Sequence, residues 1–260
     1  MSLRTRVIAR LDIKGKNLIK PVRMEGLRIV GDPNEYAKRY LDADELLYMD
    51  CVASLYGRNN LHQILERTTR EVFIPVTVGG GIRSLEDVRR LFNSGADKVA
   101  VNTEAIRRPN LISQIADRYG SQAVVVSVEA KRVNGGWECY TNNGRERTGK
   151  SVVEWIKEAV NRGAGEILLT SVDKEGTMGG LDTELIRSVA SLCPCPLVVS
   201  GGVGTIGHVK EALELGADAV ALASALHFNK LTIGEIRESI EKQFPSERSQ
   251  ARGEEARPSR

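Results

Sequence analysis

Two acids, Asp12 and Glu129, close the Val- and Ile-rich runs RVIARLD and AVVVSVE, and two glycine runs, VGGGI (78–82) and SGGVG (200–204), close two others. Carboxylates so placed could pass protons to and from a bound reactant. Glycines let the backbone come close to a phosphate and aim N–H groups at its oxygens. Asn102, Thr103 and Ser224 follow further apolar runs and add amide and hydroxyl donors. A lone glycine run would read as a tight turn, and a lone acid as a helix cap. Here the features come in pairs. GADKVAV (95–101) returns as GADAVAL (216–222), Glu45-Leu46-Leu47 as Glu166-Ile167-Leu168, and Gly79-Gly80 as Gly201-Gly202, all at a near-constant spacing of half the chain. The repeat predicts one anion site per half, a ligand spanning both, and Asp12 and Glu129 facing each other across one mouth.

The elements that must position these groups are legible as well. Short runs rich in Val, Ile and Leu lie at 6–12, 45–50, 75–80, 98–102, 123–129, 166–171, 196–202 and 219–224. They have the composition of strands buried on both faces. Helical spacing separates them, as in Leu61, Ile64, Leu65 and Thr68, then Leu111, Ile112 and Ile115, then Val209, Ala212 and Leu213. Eight strand–helix units predict an α/β fold, a closed (β/α)8 TIM barrel with two-fold half-barrel pseudo-symmetry, its chemistry at the carboxyl ends of the strands. The interval 132–147, with Asn134-Gly135 and Asn143-Gly144 as turn signals, reads as a small β-hairpin inserted after the fifth strand. The stretch 14–33, carrying Lys14, Lys16, Lys20, Arg23 and Arg28, reads as a long binding loop or lid. DKEGTMGG (173–180) reads as a mobile loop that folds onto the second phosphate. One domain is expected over 1–244, and the charged, apolar-poor segment 245–260 is expected to be a disordered tail.

Composition excludes several classes. A net charge of +3 without long basic runs, and 5% aromatic residues, argue against nucleic acid as a partner. Cys51, Cys139, Cys193 and Cys195 have no disulfide-framework spacing, and three scattered histidines do not complete a metal site. No metal and no cofactor are expected. The amino terminus has no apolar stretch long enough for a signal peptide or a membrane span, so a cytoplasmic protein without a membrane partner is expected.

Taken together, RVIARLDIK, VGGGI, GADKVAVNT, GSQAVVVSVEAKRV, RGAGEILLTSVDKEGT and SGGVG closely resemble the cyclase subunits of imidazole glycerol phosphate synthase, over nearly the whole chain up to about residue 243. The resemblance implies a lyase of histidine biosynthesis that works as a heterodimer with a glutaminase subunit. Ammonia released there passes through the barrel to a bisphosphorylated ribulosyl aminoimidazole-carboxamide substrate, giving imidazole glycerol phosphate and an aminoimidazole-carboxamide ribotide. It implies Asp12 as a catalytic aspartate and Glu129 at the position of the second. Gly81, Asn102 and Thr103 match one phosphate site, and Gly176, Gly201, Gly202 and Ser224 match the other. Asp50, Thr170 and Ser171 would line the mouth between them, and Lys20 matches the lysine of the lid. Arg6, Glu45, Lys98 and Glu166 match a ring of charges at the ammonia entrance, and Asp97 a contact with the glutaminase.

The departures gather on the reaction face. Glu129 replaces an aspartate, Arg10 stands where the family usually has a cysteine, and the lid run PVRMEGLRIVGDP differs from the usual one. That pattern leaves open a paralogue that channels ammonia for sugar amidation in surface-polysaccharide synthesis. A third reading is a non-catalytic scaffold that docks the glutaminase.

Overall fold

The computed structural model of the chain describes residues 5–53 and 61–244, so the segment expected to be a disordered tail lies outside the described residues. In chain order the strands are β1 (Arg6–Lys14), β2 (Asn17–Val22), β3 (Glu25–Gly31), β4 (Glu45–Asp50), β5 (Val76–Gly79), β6 (Lys98–Val101), β7 (Val124–Val133), β8 (Gly136–Thr141), β9 (Glu146–Ser151), β10 (Glu166–Ser171), β11 (Leu197–Ser200) and β12 (Ala219–Leu222). The helices between them are α1 (Pro33–Arg39), α2 (Leu61–Thr68), α3 (Leu85–Asn93), α4 (Thr103–Arg107), α5 (Asn110–Tyr119), α6 (Val152–Asn161), α7 (Thr183–Ala190), α8 (Ile206–Glu214), α9 (Ser224–His227) and α10 (Ile233–Gln243).

The expected barrel is present. β1, β4, β5, β6, β7, β10, β11 and β12 pair in parallel in that order, and β12 returns to β1. Strand alternation then sorts the side chains. On β1, Val7, Ala9, Leu11 and Ile13 join the outer core under the helices. The alternate residues Arg6, Ile8, Arg10 and Asp12 share the other face, and Ile8 packs with Leu47, Ala100, Val125, Leu168, Val198, Ala219 and Ala221 in an apolar layer inside the barrel. The interior is therefore layered, with charges below, hydrocarbon in the middle and polar groups above.

The two halves also repeat in detail. The Asp97 carboxylate accepts from the Val76 N–H at 2.8 Å, and the Asp218 carboxylate accepts from the Leu197 N–H at 2.8 Å, so the same GAD residue starts a strand in each half. Ser84 and Thr205 cap α3 and α8 in the same way, each accepting a backbone N–H three residues on.

Two local expectations change. The stretch 14–33 is a hairpin and not an irregular loop. β2 pairs antiparallel with β1 (Asp12 opposite Ile19), and β3 pairs with β2. The insertion near 132–147 uses both expected turns, but its first arm is the fifth barrel strand itself. β7 runs on to Val133, and β8 and β9 add to it as an antiparallel meander. Among the described residues no helix is long and apolar enough to cross a membrane.

Candidate functional site

The carboxyl ends of the barrel strands carry two glycine cradles. Gly80 and Gly81 after β5 have φ of +103° and +70°, and Gly201 and Gly202 after β11 have φ of +94° and +104°. A side chain is excluded at both places. A Cβ on Gly80 would collide with the Asp50 carbonyl oxygen, and one on Gly202 with the Gly180 carbonyl oxygen. The helices following these runs, α3 and α8, have capped amino termini. Ser84 accepts the Asp87 N–H and Thr205 the His208 N–H. The short helices after β6 and β12, α4 and α9, have no side-chain cap. Their preceding residues share one uncommon conformation, φ −132°, ψ −84° at Asn102 and φ −128°, ψ −77° at Ala223. Gly80, Gly81, Asn102, Thr103, Asp50 and Glu129 line one hollow. Gly176, Gly201, Gly202 and Ser224 line the other. The Ser224 hydroxyl is buried with no partner among the described residues, so it is available to a ligand. Thr103 accepts from the Asn142 N–H at 3.1 Å, and the Asn102 amide donates to the Tyr140 carbonyl at 3.1 Å, which fixes both side chains.

Between the hollows lies a buried cluster of four charges. Arg10 donates from Nε to Asp12 at 2.8 Å, and from Nη1 to the Thr170 hydroxyl at 3.1 Å and the Ser200 hydroxyl at 3.2 Å. The same nitrogen stands 3.9 Å from Glu175. Lys20 donates to the second Asp12 oxygen at 2.8 Å and also to Glu175. Two cations and two carboxylates make a neutral set, and pairing of this kind is what makes buried charges tolerable. Burial by itself raises the Asp12 carboxyl, but the Arg10 and Lys20 charges outweigh it and hold the group well below the usual carboxylate range.

Glu129, on the opposite side of the barrel in β7, has the reverse balance. Burial pushes its carboxyl up to about 7, although the Gly144 N–H, bonded at 2.7 Å, the Arg10 charge and the Asn102 amide all pull it down. Asp50 spends one oxygen on the Val52 and Ala53 N–H groups, and burial raises its carboxyl. Ser171 donates to Asp182 at 3.5 Å. The loop at 173–180 lines the second hollow through Gly176 and Met178, and its Gly180 N–H donates to the Gly202 carbonyl at 2.8 Å. The hairpin covers it: the Arg23 N–H donates to the Glu175 carbonyl at 2.7 Å, and Gly176 sits so close under Pro21 that a Cβ would collide with the Pro21 carbonyl.

At the other end of the barrel the four expected charges form a closed ring. Arg6 binds Glu45 at 2.9 Å and Glu166 at 2.8 Å, and Lys98 binds the same two carboxylates at 2.7 and 3.2 Å. Signs alternate around the barrel axis. Asp97 lies beside this ring with one oxygen committed to the start of β5.

Three members of the mouth were not singled out from the sequence: Arg10 as a partner of Asp12, Glu175 and Ser200. Alternation along β1 could have found the first, since Arg6, Ile8, Arg10 and Asp12 must share a face. Glu175 gave no such signal, because its burial depends on the hairpin that folds over it.

The sequence matches the model of a family described as histidine biosynthesis protein over residues 6–232. A relative from Legionella pneumophila, imidazole glycerol phosphate synthase subunit HisF, is 61% identical over 77% of this chain and 96% of its own length. The proteins of the same name from Thermobifida fusca and Mycobacteroides abscessus are each 47% identical over 92% of this chain and 97% of their own length. These relatives favour the histidine-pathway reading and lend no support to the sugar-amidation and docking-scaffold readings.

Proposed function

Because this chain belongs to the histidine biosynthesis protein family, and within it to the HisF-type cyclase subunits of imidazole glycerol phosphate synthase, we propose that its mouth binds a ribulosyl aminoimidazole-carboxamide substrate by two phosphate ends. One phosphate takes Gly81, Asn102 and Thr103, and the other takes Gly176, Gly201, Gly202 and Ser224. Asp12 and Glu129 then flank the reacting centre, with Asp50, Thr170 and Ser171 around it and the Lys20 hairpin above. The enzyme is a lyase of histidine biosynthesis. Ammonia from a glutaminase partner enters at the ring of Arg6, Glu45, Lys98 and Glu166, with Asp97 at the partner contact, and rises along the apolar layer.

One observation supports this reading above the others. Two equivalent glycine cradles face one mouth, and the axis that joins the mouth to the charged ring is lined by hydrocarbon, which suits a small neutral molecule. The test is turnover of the bisphosphorylated substrate with free ammonium, scored by formation of imidazole glycerol phosphate, together with a phosphate soak of crystals. Turnover and anions beside Gly81–Thr103 and beside Gly202–Ser224 are expected. No turnover, or anions only elsewhere, would overturn the assignment.

A further inference from the structure

Arg10 is placed to govern the two carboxylates of the mouth, and the equivalent position two residues before Glu129 in the other half is Ser127, which carries no charge. From β1 Arg10 crosses above the apolar layer and is held at Asp12, at Thr170 on β10 and at Ser200 on β11. It is 3% exposed, and Asp12 is wholly buried. Both oxygens of Asp12 are thereby committed, one to Arg10 and one to Lys20. A carboxylate that accepts two charge-assisted hydrogen bonds from cations is a poor proton carrier, because taking a proton would break both bonds inside a low-dielectric cluster. Glu129 has the backbone N–H bond from Gly144 and the Asn102 amide beside it, and among the described residues no cation is bonded to it.

We propose that Arg10 is a positioning residue that divides the labour between the two carboxylates: it fixes Asp12 as a standing anion that stabilises positive charge in the reacting centre, and it leaves Glu129 as the group that gives and takes the proton. This rests on the cyclase reading above and deepens it. The surroundings agree on every side. Asp12 is faced by Arg10 of its own strand, Lys20 of β2, Cys51 after β4 and His227 of α9, with Glu175 of the loop after β10 bonded to Lys20 and Asp50 beside Cys51. Burial holds His227 neutral, down to about 4, and pushes the Cys51 thiol up, so neither gives a proton to Asp12 near neutral pH. Glu129 is faced by Gly144, Arg10, Asn102 and the distant Asp12 charge, and burial leaves it titrating near neutrality. A proton carrier works best when it titrates near the working pH.

The test uses the whole purified chain without substrate first. Carboxyl-carbon NMR, assigned with Asp12→Asn and Glu129→Gln, follows both groups through pH. In the wild type Glu129 should titrate near neutrality, and Asp12 should remain ionised down to about pH 3. Arg10→Ala combined with Glu175→Gln keeps the cluster neutral and so protects folding. In it the Asp12 titration should rise by about one unit or more, and Arg10→Lys should restore most of the depression. With substrate and ammonium, the acidic limb of kcat/KM should follow Glu129 in the wild type, vanish in Glu129→Gln, and gain an Asp12 component in the paired variant. Asp12 titrating in the ordinary carboxylate range in the wild type, or staying put in the paired variant, would overturn the proposal. So would Glu129 titrating at the ordinary value. The stated titrations in a protein that does not cyclise would support the division of charge and sink the reaction.

Discussion

The Lys20 ammonium reaches back across the first hairpin to hold the Asp12 carboxylate at 2.8 Å, and its other bond goes to Glu175 on the far loop. The hairpin and the buried cluster thus share one cation. Lys20→Met should release both at once. It leaves a net negative charge in a buried cluster, which costs about 3–5 kcal/mol when one partner of such a set is removed. Amide exchange over 17–31 should rise sharply, and ammonium-dependent turnover should fall by about a hundredfold. Unchanged exchange in that segment would mean that the hairpin is held by its strand pairing alone.

Glu129 makes stability depend on pH. Its folded value of about 7 lies above the unfolded carboxylate value, so the folded state keeps a proton that the unfolded state releases. The contribution of Glu129 is fully present below about pH 4.5, fades as pH rises, and is lost above about pH 7. The total is about 3 kcal/mol. Glu129→Gln should therefore gain stability on the wild type between pH 5 and pH 8 in urea unfolding, and a constant difference across that range would refute the shift. Glu129→Asp, shorter by one carbon, should keep or improve cyclase turnover.

The charged ring should separate the two nitrogen sources. Lys98→Ala leaves Glu45 and Glu166 sharing Arg6 alone. Glutamine consumption by the partner should continue while product per glutamine falls severalfold, and turnover with free ammonium should change by less than about twofold. Equal loss with both sources would assign the ring to stability.

The cradles predict independent phosphate losses. Ser224→Ala should weaken the second phosphate by about tenfold, the worth of one hydrogen bond to a charged group, and leave the anion beside Thr103 in place. Gly202→Ala should be harsher, because the Cβ meets the Gly180 carbonyl. Isothermal titration with inorganic phosphate, compared with crystals of each variant, decides both.

The barrel was readable in the sequence because parallel strands buried on both faces must be apolar throughout, and eight such runs stand out against charged helices. The glycine cradles were readable because each sits at a strand end and each recurs. The hairpin at 17–31 was not. Lys16, Lys20, Arg23, Arg28 and Pro21 hide its alternation, and its strands pair with shifts of register. Lys20 was legible as a lid lysine, but its burial was not, because only three-dimensional pairing with Asp12 and Glu175 makes that possible. The extension of the fifth strand to Val133 was hidden for a similar reason, since Lys131 and Arg132 look like the start of a loop. The sequence did carry the clue to Arg10, as an unusual residue two positions before Asp12, but its partners lie on β10 and β11.

The closed hairpin also sets a clock. With Asp12 wholly buried and Lys20 at 4% exposure, a substrate is expected to reach the carboxylate by lifting the hairpin from Gly176. Encounter and commitment are then separate events. As substrate concentration rises, the observed rate of association should stop climbing and level off at the opening rate of the hairpin, a plateau that stopped-flow mixing would read directly. A residue that loosens the latch would raise that plateau without touching either phosphate cradle, so the tempo of capture and the strength of binding are set by different parts of the mouth.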